Sequence, residues 1–238
     1  MKKINTKRDL TIFKDNEYIV FAMDSCGAIG EKEYDVLNFD IYNTAKLTLR
    51  VCLNELFSVG ATPKAVFSLV ANEFDPTAGT ILKAIKDELE DNELKDIEIN
   101  GSSEENFETK MTAFGINVFS TAKKLKMKNT KSDYFIYLVG EPFVGQEVVN
   151  NQDILLTPKI IKFIINNYEI GDLIPCGSGG ILKELNILSK ENSLDFELFD
   201  TKIDLEKSAG PATCGVFTTK EKIESMGDYP LTLIGKYI

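Results

Sequence analysis

The chain has 238 residues, 43% hydrophobic and 27% charged, which is ordinary for a soluble globular protein of one large domain or two modest ones. Its net charge of −10 argues against binding to a nucleic-acid backbone or an anionic membrane, because both need a basic protein face. It contains no histidine, which excludes a His-containing catalytic triad and the usual zinc ligand.

The first half of the chain is predicted to contain strands interrupted by two helices. The clearer helix spans residues 42–59, where apolar residues recur at three- and four-residue spacing and form one face. Gly60 and Pro63 mark its end, because neither residue favours continuation of a helix. Asp75 followed by Pro76 predicts the capped start of a second helix, which runs to about residue 90. Strands are predicted at residues 10–13, 18–23, 64–71, 96–100 and 112–120.

The second half is predicted to follow the same kind of alternation. Thr157 followed by Pro158 predicts the start of a helix. A further helix follows the loop at residues 177–180, and a short one is expected near residues 220–226. Strands are predicted at residues 134–139, 170–176, 194–198, 213–218 and 231–237.

Residues 123–133 are polar and rich in lysine, which makes them the best candidate for a domain boundary. We therefore expect an N-terminal domain at residues 1–125 and a C-terminal domain at residues 126–238. The order of elements indicates an α/β or α+β fold in two domains.

The stretch at residues 18–35 is the first candidate site. An apolar, β-branched run meets Asp24, and a loop with Gly27 and Gly30 leads to Lys32. A buried strand that ends in an aspartate and opens into small residues can place a carboxylate beside a ligand, where Asp24 holds a cation and Lys32 meets an anion. The alternative is an ordinary glycine turn with solvated charges, and these residues alone favour it.

Further acidic residues lie at element ends or in loops, among them Asp9 and the pair Glu104 and Glu105. Magnesium prefers such oxygen ligands, although most of the 37 acidic residues must be plain surface. Asn54 and Glu55 indicate a functional role more specifically, because they interrupt a mostly apolar helix. Their alternative interpretation is a position on the helix surface.

A small-residue loop, Gly177-Ser178-Gly179-Gly180, opens the helix of the C-terminal half. Free backbone N–H groups and the helix dipole make such a loop receptive to phosphate, but it lacks the spacing of a Walker loop. The alternative is a tight connection that needs small residues.

Cysteine chemistry is not expected. Four cysteines lie far apart without a CxxC pair, which is typical of reduced cytoplasmic thiols. Cys26 and Cys176 fall in glycine-rich loops without an activating base, so we interpret them as small neutral residues. The N-terminus lacks an apolar signal core and no apolar run is long enough to span a bilayer, so we expect a cytoplasmic protein.

Several of these stretches, taken in order, resemble the AIR synthase-related superfamily, which includes aminoimidazole ribonucleotide synthase, thiamine-monophosphate kinase, selenophosphate synthase and the hydrogenase maturation ATPases. RVCLNELFSVGATP at residues 50–63 resembles that family's helix with an Asn-Asp or Ser-Asp pair and a Gly-Ala-x-Pro exit. GAIGEK at residues 27–32 resembles its phosphate-contacting DGVGTK-type segment. NGSSEEN at residues 100–106 stands where the family has GGET or GGDT, and CGSGGI at residues 176–181 stands where its kinases have an SDGL-like motif.

The sequence departs from these motifs at identifiable positions. Glu55 stands where the family usually has aspartate, the GGDT-like segment lacks its second glycine, and the SDGL-like segment lacks its aspartate. The last departure argues against an ordinary thiamine-monophosphate kinase. Within the superfamily, DSCGAIGEKE together with NGSSEEN is most similar to the α-ribazole kinases of cobalamin salvage.

The resemblance implies a ferredoxin-like N-terminal domain that forms a homodimer and an α/β C-terminal domain. It implies an enzyme that uses ATP and Mg²⁺ to phosphorylate the ribose 5′-hydroxyl of α-ribazole, a nucleoside-like small molecule. The alternatives are another ATP-using member, of the cyclase or thiamine-monophosphate kinase type, or a non-catalytic nucleotide-binding module.

The resemblance also assigns roles to individual residues. Asp9, Asp24 and Glu55 would hold magnesium, and Asn54 would position a reacting group. The sequence identifies no general base, and Asp24 is left as an open candidate for that role. The residues assigned to the nucleotide and its phosphates, or to the acceptor, are Lys32, Gly27, Gly30, Glu104, Gly177, Ser178, Gly179 and Gly180.

Overall fold

The computed structural model describes every residue from Met1 to Ile238 and divides the chain into two compact units. Unit 1 contains residues 1–4, 9–56 and 61–123, and unit 2 contains residues 5–8, 57–60 and 124–238. The chain passes from the last segment of unit 1 to the last segment of unit 2 between Lys123 and Lys124, within the lysine-rich stretch. The two short segments of unit 2 at residues 5–8 and 57–60 were not foreseen.

Unit 1 is built on a six-stranded sheet with the strand order β1-β2-β3-β8-β6-β7. Its neighbours are antiparallel, except that β6 and β7 run parallel. The strands are β1 (Lys2–Ile4), β2 (Leu10–Lys14), β3 (Tyr18–Gly27), β6 (Thr62–Val70), β7 (Glu98–Ser103) and β8 (Ala113–Ala122), with a short separate pair formed by β4 (Ile29–Gly30) and β5 (Leu37–Asn38).

Two helices of unit 1, α1 (Ile41–Ser58) and α2 (Gly79–Asp91), carry the apolar faces that build its core. The α1 stripe is buried as its periodicity predicts, and the Cys52 thiol lies 3.6 Å from the Ile116 carbonyl of β8. On the sheet the core side is formed by alternate strand residues, which include Val20, Val66 and Val118.

The start of α2 differs from the prediction. Asp75 has extended backbone angles and does not cap the helix, which begins at Gly79 after a π-helical turn, Phe74–Ala78. Glu73 organises this turn instead: its carbonyl accepts from the Ala78 N–H at 3.0 Å, and its carboxylate accepts from the Thr77 hydroxyl at 2.6 Å. The predicted N-cap at Asp75 was therefore wrong, because the preceding glutamate supplies the acceptors.

Unit 2 is built on a five-stranded antiparallel sheet with the order β10-β12-β9-β13-β11. Its helix α4 begins at the predicted Thr157 cap, whose hydroxyl accepts from the Ile160 N–H at 3.3 Å. Residues 220–226 form no helix, so that prediction was wrong; Met226 instead bridges to Tyr229. The elements are β9 (Phe135–Gly140), α3 (Gln146–Asn150), a 3-10 turn (Gln152–Ile154), α4 (Pro158–Asn167), β10 (Ile170–Pro175), α5 (Gly180–Asn192), β11 (Phe196–Leu198), β12 (Cys214–Thr219) and β13 (Leu231–Tyr237).

A buried ionic network ties the residue 5–8 segment into unit 2. Arg8 donates to Asp172 at 2.8 Å, to Glu191 at 2.9 Å and to the Leu173 carbonyl at 2.8 Å. The side chains of Arg8 and Asp172 are both inaccessible to solvent. Asp172 also accepts from the Thr130 hydroxyl at 2.6 Å and from the Thr130 N–H at 3.0 Å. Burial alone would raise the pKa of Asp172, but the Arg8 charge and these hydrogen bonds together lower it.

The predicted fold class is confirmed: both units mix helices with a predominantly antiparallel sheet. None of the helices combines the length and the hydrophobicity needed to cross a bilayer.

Candidate functional site

Asp24 lies on β3 on the core side of the unit 1 sheet, in register with the buried Ile116. Burial raises the pKa of its carboxyl, and the negative charge of Asp9 adds to this effect. The Ser25 backbone N–H donates to Asp24 and acts in the opposite direction, but the pKa remains raised. An ionised carboxylate in these surroundings is stabilised when a cation approaches it.

Glu55 is brought into the same region by α1. Burial raises the pKa of the Cys52 thiol, and the negative charges of Asp24 and Glu55 raise it further, so both carboxylates lie near this thiol. The negative charge of Asp9 thus acts on Asp24, and the charges of Asp24 and Glu55 both act on the Cys52 thiol. No group of three or more His, Cys, Asp or Glu side chains is arranged so that it could hold a metal ion, so the three predicted carboxylates do not form one metal site in the structure. Their role as magnesium ligands stays a prediction.

Asn54 and Glu55 do not occupy the helix surface. Asn54 is inaccessible to solvent and Glu55 is 7% exposed. The alternative interpretation of these two residues as a helix surface position was therefore wrong, and their functional role stays a prediction.

Lys32 is engaged by the protein itself. Its ammonium lies 2.6 Å from a Glu73 carboxylate oxygen and 3.1 Å from the Thr109 carbonyl. Burial alone would raise the pKa of Glu73, but its bonds to Lys32, Thr77 and Thr109 together lower it well below the usual range. The Lys32 charge is therefore already paired, and an anionic ligand must compete with Glu73 for it.

Glu73 is the residue of this region that sequence reasoning missed. It lies in the short connection between β6 and the π-helical turn, and its position shortly before Asp75 and Pro76 was the available signal. Its carboxylate joins three segments, because it accepts from Lys32, from Thr77 and from the Thr109 hydroxyl at 2.9 Å.

A cavity of about 510 Å³ in unit 1 adjoins this ion pair. Such a volume is suitable for a small organic ligand. Acidic side chains dominate its lining over a single lysine, so a phosphate compound would need a cation to enter. The lining residues are Glu31, Lys32, Asp40, Ile41, Glu73, Asp75, Pro76, Thr77, Thr80, Glu108 and Thr112.

The two predicted glycines of the loop after Asp24 have different surroundings. A Cβ on Gly30 would lie 2.3 Å from the Thr112 hydroxyl and 2.6 Å from an Asp35 carboxylate oxygen, so glycine is needed there for packing. A Cβ on Gly27 would meet nothing within 4 Å. The approach of a ligand is therefore geometrically open at Gly27.

The segment that resembles GGDT forms mainly local hydrogen bonds. A Glu104 carboxylate oxygen accepts from the Asn106 backbone N–H at 2.7 Å and from the Asn106 amide at 2.9 Å. Glu105 accepts from Ser103. The two carboxylates are held within their own loop, and neither lines the cavity.

The loop Gly177-Ser178-Gly179-Gly180 packs tightly in unit 2. The Gly180 N–H donates to the Gly177 carbonyl at 3.0 Å, and the Leu182 N–H donates to the Leu205 carbonyl at 2.9 Å. Gly180 has a φ of 77°, and a Cβ there would lie 2.9 Å from the Glu206 backbone. Two donors at the start of α5 are thus already used, which favours the tight connection over a phosphate site.

All four cysteines are buried and unbridged. Burial, followed by the negative charges of Asp24 and Asp35, raises the pKa of Cys26 to about 12. Its thiol therefore stays protonated at neutral pH, in agreement with its interpretation as a small neutral residue.

No protein-family model matches the sequence, and no curated protein matches it either. Similarity appears among solved structures. Thiamine monophosphate kinase from Aquifex aeolicus superposes with a TM-score of 0.70 at 11% identity, over 96% of this chain and 88% of that one. The structure of AaThiL complexed with AMPPCP and TMP gives a TM-score of 0.68 at 12% identity, over 97% and 84% of the two chains.

A larger protein contains the same fold as a part. Phosphoribosylformylglycinamidine synthase II from Thermotoga maritima gives a TM-score of 0.61 at 15% identity, over 97% of this chain but 37% of its own. At these identities the similarity shows the fold. The chain has the AIR synthase-like fold that these proteins share.

Proposed function

We propose that this chain is an ATP- and Mg²⁺-dependent kinase that phosphorylates the ribose 5′-hydroxyl of α-ribazole in cobalamin lower-ligand salvage. The observation that carries the proposal is Asp24, a carboxylate with a raised pKa next to Asp9 and close to the thiol that also faces Glu55. The shared fold with a protein solved with AMPPCP and TMP supports ATP use. The choice of α-ribazole rests on the resemblance of the loops at residues 24–33 and 100–106.

The donor set fits a magnesium ion that arrives with a nucleotide. Such ions bind one or two protein carboxylates and complete their coordination with phosphate oxygens and water. Asp9 and Asp24 would supply two carboxylates whose mutual repulsion a divalent cation relieves, and we propose Glu55 as a further donor. When bound, the ion would neutralise charge on the transferred phosphoryl group.

The residues of the chain would position the reactants, since phosphoryl transfer needs orientation and charge stabilisation more than covalent help. The hydroxyl oxygen bonds to the γ-phosphorus, the bond between that phosphorus and the oxygen of ADP breaks, and the hydroxyl proton leaves. That proton would pass to water, because a carboxylate that binds Mg²⁺, as Asp24 would, is a weaker base than a free one. The buried Asn54 would orient one of the reacting groups.

A nucleotide-binding module without turnover is the second candidate. It is favoured by the ion pair that occupies Lys32 and by the local hydrogen bonds that hold Glu104. These two residues stand in the segments where the resemblance assigns phosphate contacts.

Mass spectrometry of the reaction products tests the proposal. The protein is incubated with Mg²⁺ and ATP, and with α-ribazole, thiamine monophosphate or formylglycinamidine ribonucleotide in separate tubes. We expect a gain of one phosphate on α-ribazole alone. The gain should disappear in Asp24→Asn and persist in Asp228→Asn, which removes the same charge at an exposed site of unit 2. ATP binding without any product would favour the module, and absence of ATP binding would contradict both candidates.

We further propose that the protein works in the cytoplasm as a homodimer, without nucleic-acid or membrane partners. The net charge of −10 supports the absence of those partners. The dimer is supported by large apolar side chains that unit 1 exposes, among them Met23 and Leu69.

A further inference from the structure

The central part of the loop between β7 and β8, residues 105–109, is here named the strap. Backbone hydrogen bonds fix the chain at both of its ends. The Glu104 N–H donates to the Asn72 carbonyl at 3.0 Å, and the Lys110 carbonyl accepts from the Tyr34 N–H at 2.9 Å. Neither bond involves a charged group, so an ionic ligand has no direct means of breaking them.

The strap itself is held through Thr109. Its carbonyl accepts from the Lys32 ammonium at 3.1 Å, and its N–H and hydroxyl donate to one Glu73 carboxylate oxygen at 3.2 and 2.9 Å. A further bond comes from the Asn72 amide, 2.6 Å from the Thr109 hydroxyl oxygen. Three of these four hydrogen bonds therefore depend on the ion pair of Lys32 and Glu73.

The other residues of the strap bind only their neighbours along the chain. Residues 105–108 are all exposed. Their hydrogen bonds and ion pairs are made to Ser103, Glu104 and Lys110. Glu108 lines the cavity of unit 1, which places the strap at the edge of this cavity. The Thr109 bonds are thus the hydrogen bonds that tie the strap to the rest of unit 1.

A phosphate group in the cavity would compete for the same ammonium, because Lys32 is the single cationic side chain of the lining. Burial acts to raise the pKa of Glu73, but its hydrogen bonds lower it well below the usual range, so the carboxylate stays ionised at neutral pH. Once a phosphate takes the lysine, the two negative groups repel each other. Glu73 is then displaced, and its bonds to Thr109 are lost with it.

We propose that the ion pair of Lys32 and Glu73 is a latch that holds the strap at the cavity, and that a phosphate group bound to Lys32 releases the strap. The inference rests on the proposed function for the presence of a phosphate compound and adds a conformational switch to that site. Coupling between two events is reciprocal, so a change that releases the strap must also favour phosphate binding.

Hydrogen–deuterium exchange followed by mass spectrometry tests the release. The probe is inorganic triphosphate with Mg²⁺, compared with Mg²⁺ alone. We expect exchange in residues 105–109 to become several-fold faster with triphosphate, because the Thr109 N–H loses its acceptor on Glu73. Unchanged or slower exchange, or triphosphate that does not bind, would overturn the latch.

Thr109→Val tests the coupling, because it removes the hydroxyl that binds Glu73 and keeps the shape of the side chain. We expect faster exchange in the strap without any ligand and roughly fivefold tighter binding of triphosphate in isothermal titration calorimetry. Thr109→Ser retains the hydroxyl and should behave as the unchanged protein. Thr201→Val is the second control, since its hydroxyl accepts from the Ile203 N–H in a loop of unit 2.

The affinity separates a latch from a purely structural bond. A Thr109→Val variant that binds triphosphate no more tightly than Thr109→Ser would contradict the coupling, even if its strap exchanges faster. Turnover does not enter these measurements. A strap that is released by triphosphate in a protein without kinase activity would support the latch and contradict the kinase, and a strap that stays fixed in an active kinase would contradict the latch alone.

Discussion

Asp24 lies on the inner strand β3 of unit 1 and Asp172 on the edge strand β10 of unit 2, and the surroundings of the two aspartates are opposite. Asp172 is paired with Arg8 and accepts two hydrogen bonds from Thr130, and its pKa is lowered despite burial. Asp24 is partly buried beside Asp9, and its pKa is raised. The first carboxylate has its partners within the fold, whereas the second is favourable only with a cation or a proton. Neighbours, and not the residue type or its place on a strand, separate a structural aspartate from a candidate ligand-binding one.

The largest expected loss of stability comes from breaking the buried ion pair between Arg8 and Asp172. Arg8→Met leaves Asp172 buried without its counter-charge, and we expect the free energy of unfolding to fall by about 3–5 kcal/mol. Urea denaturation at neutral pH measures this change. Lys83→Met is the control, because the Lys83 side chain is 68% exposed and its pair with Asp87 should contribute little. Equal denaturation midpoints for the two variants would show that the Arg8 network contributes nothing to stability.

Glu73 offers an intermediate case, because its carboxylate is satisfied by the protein but lines a cavity. Glu73→Gln removes the charge that pairs with Lys32, and we expect a loss of roughly 1–2 kcal/mol in the free energy of unfolding. The freed lysine should at the same time increase the affinity for ATP in isothermal titration calorimetry. Glu108→Gln is the control, since Glu108 lines the same cavity with an 81% exposed side chain. Unchanged ATP affinity in Glu73→Gln would exclude Lys32 as a phosphate contact.

Local patterns in the sequence were sufficient for most elements. The apolar spacing of α1 and the Thr157 cap of α4 are short-range signals, and both were predicted within one residue of their observed bounds. The start of α2 was not, because Glu73 supplies hydrogen bonds that compete with the expected cap at Asp75. A short-range rule fails where a neighbouring side chain provides a better acceptor.

The sequence named candidate residues for the site but did not predict their environments. Asp9, Asp24 and Glu55 were named from the sequence, but the structure does not arrange three such side chains so that they could hold a metal ion. Arg8 and Asp172 are 164 residues apart, and no local pattern indicates that they pair. Gly27 and Gly30 are equivalent in the sequence, but packing against Thr112 and Asp35 makes only the second one sterically necessary. Contacts distant along the chain decide these differences.

Substitution of Asp24, whose pKa is raised, should change the free energy of unfolding by less than Arg8→Met does, and in the opposite direction. Asp24→Asn removes a charge that burial disfavours, so we expect the free energy of unfolding at neutral pH to rise on the order of 1 kcal/mol. The same variant should lose Mg²⁺-dependent ATP binding, since a functional carboxylate is retained at a cost in stability. Thermal unfolding and calorimetry measure the two effects, with Asp228→Asn as the control. A destabilised Asp24→Asn would place Asp24 with Asp172 among the structural aspartates.

The smallest expected difference is in the pH range over which each aspartate changes the stability of the fold. The pKa of Asp24 is raised in the folded protein, so its ionisation destabilises the fold, and this penalty disappears as the pH falls through the folded pKa toward the unfolded value of about 3.9. The pKa of Asp172 is lowered, so its stabilisation is present above about 3.9 and is lost as the pH falls from there toward the folded pKa.

The two ranges therefore lie on opposite sides of the unfolded pKa and can be separated by experiment. Urea denaturation across acidic pH measures both differences in the free energy of unfolding. As the pH falls, the stability gained by Asp24→Asn over the unchanged protein should disappear before about pH 3.9 is reached. The stability lost in Asp172→Asn should persist to lower pH. If the gain of Asp24→Asn were constant across this range, the Asp24 charge would not be its cause. If both differences in stability disappeared over the same pH interval, the pKa values of the two carboxylates would be shifted in the same way. The contrast between Asp172, with its lowered pKa, and Asp24, with its raised pKa, would then be wrong.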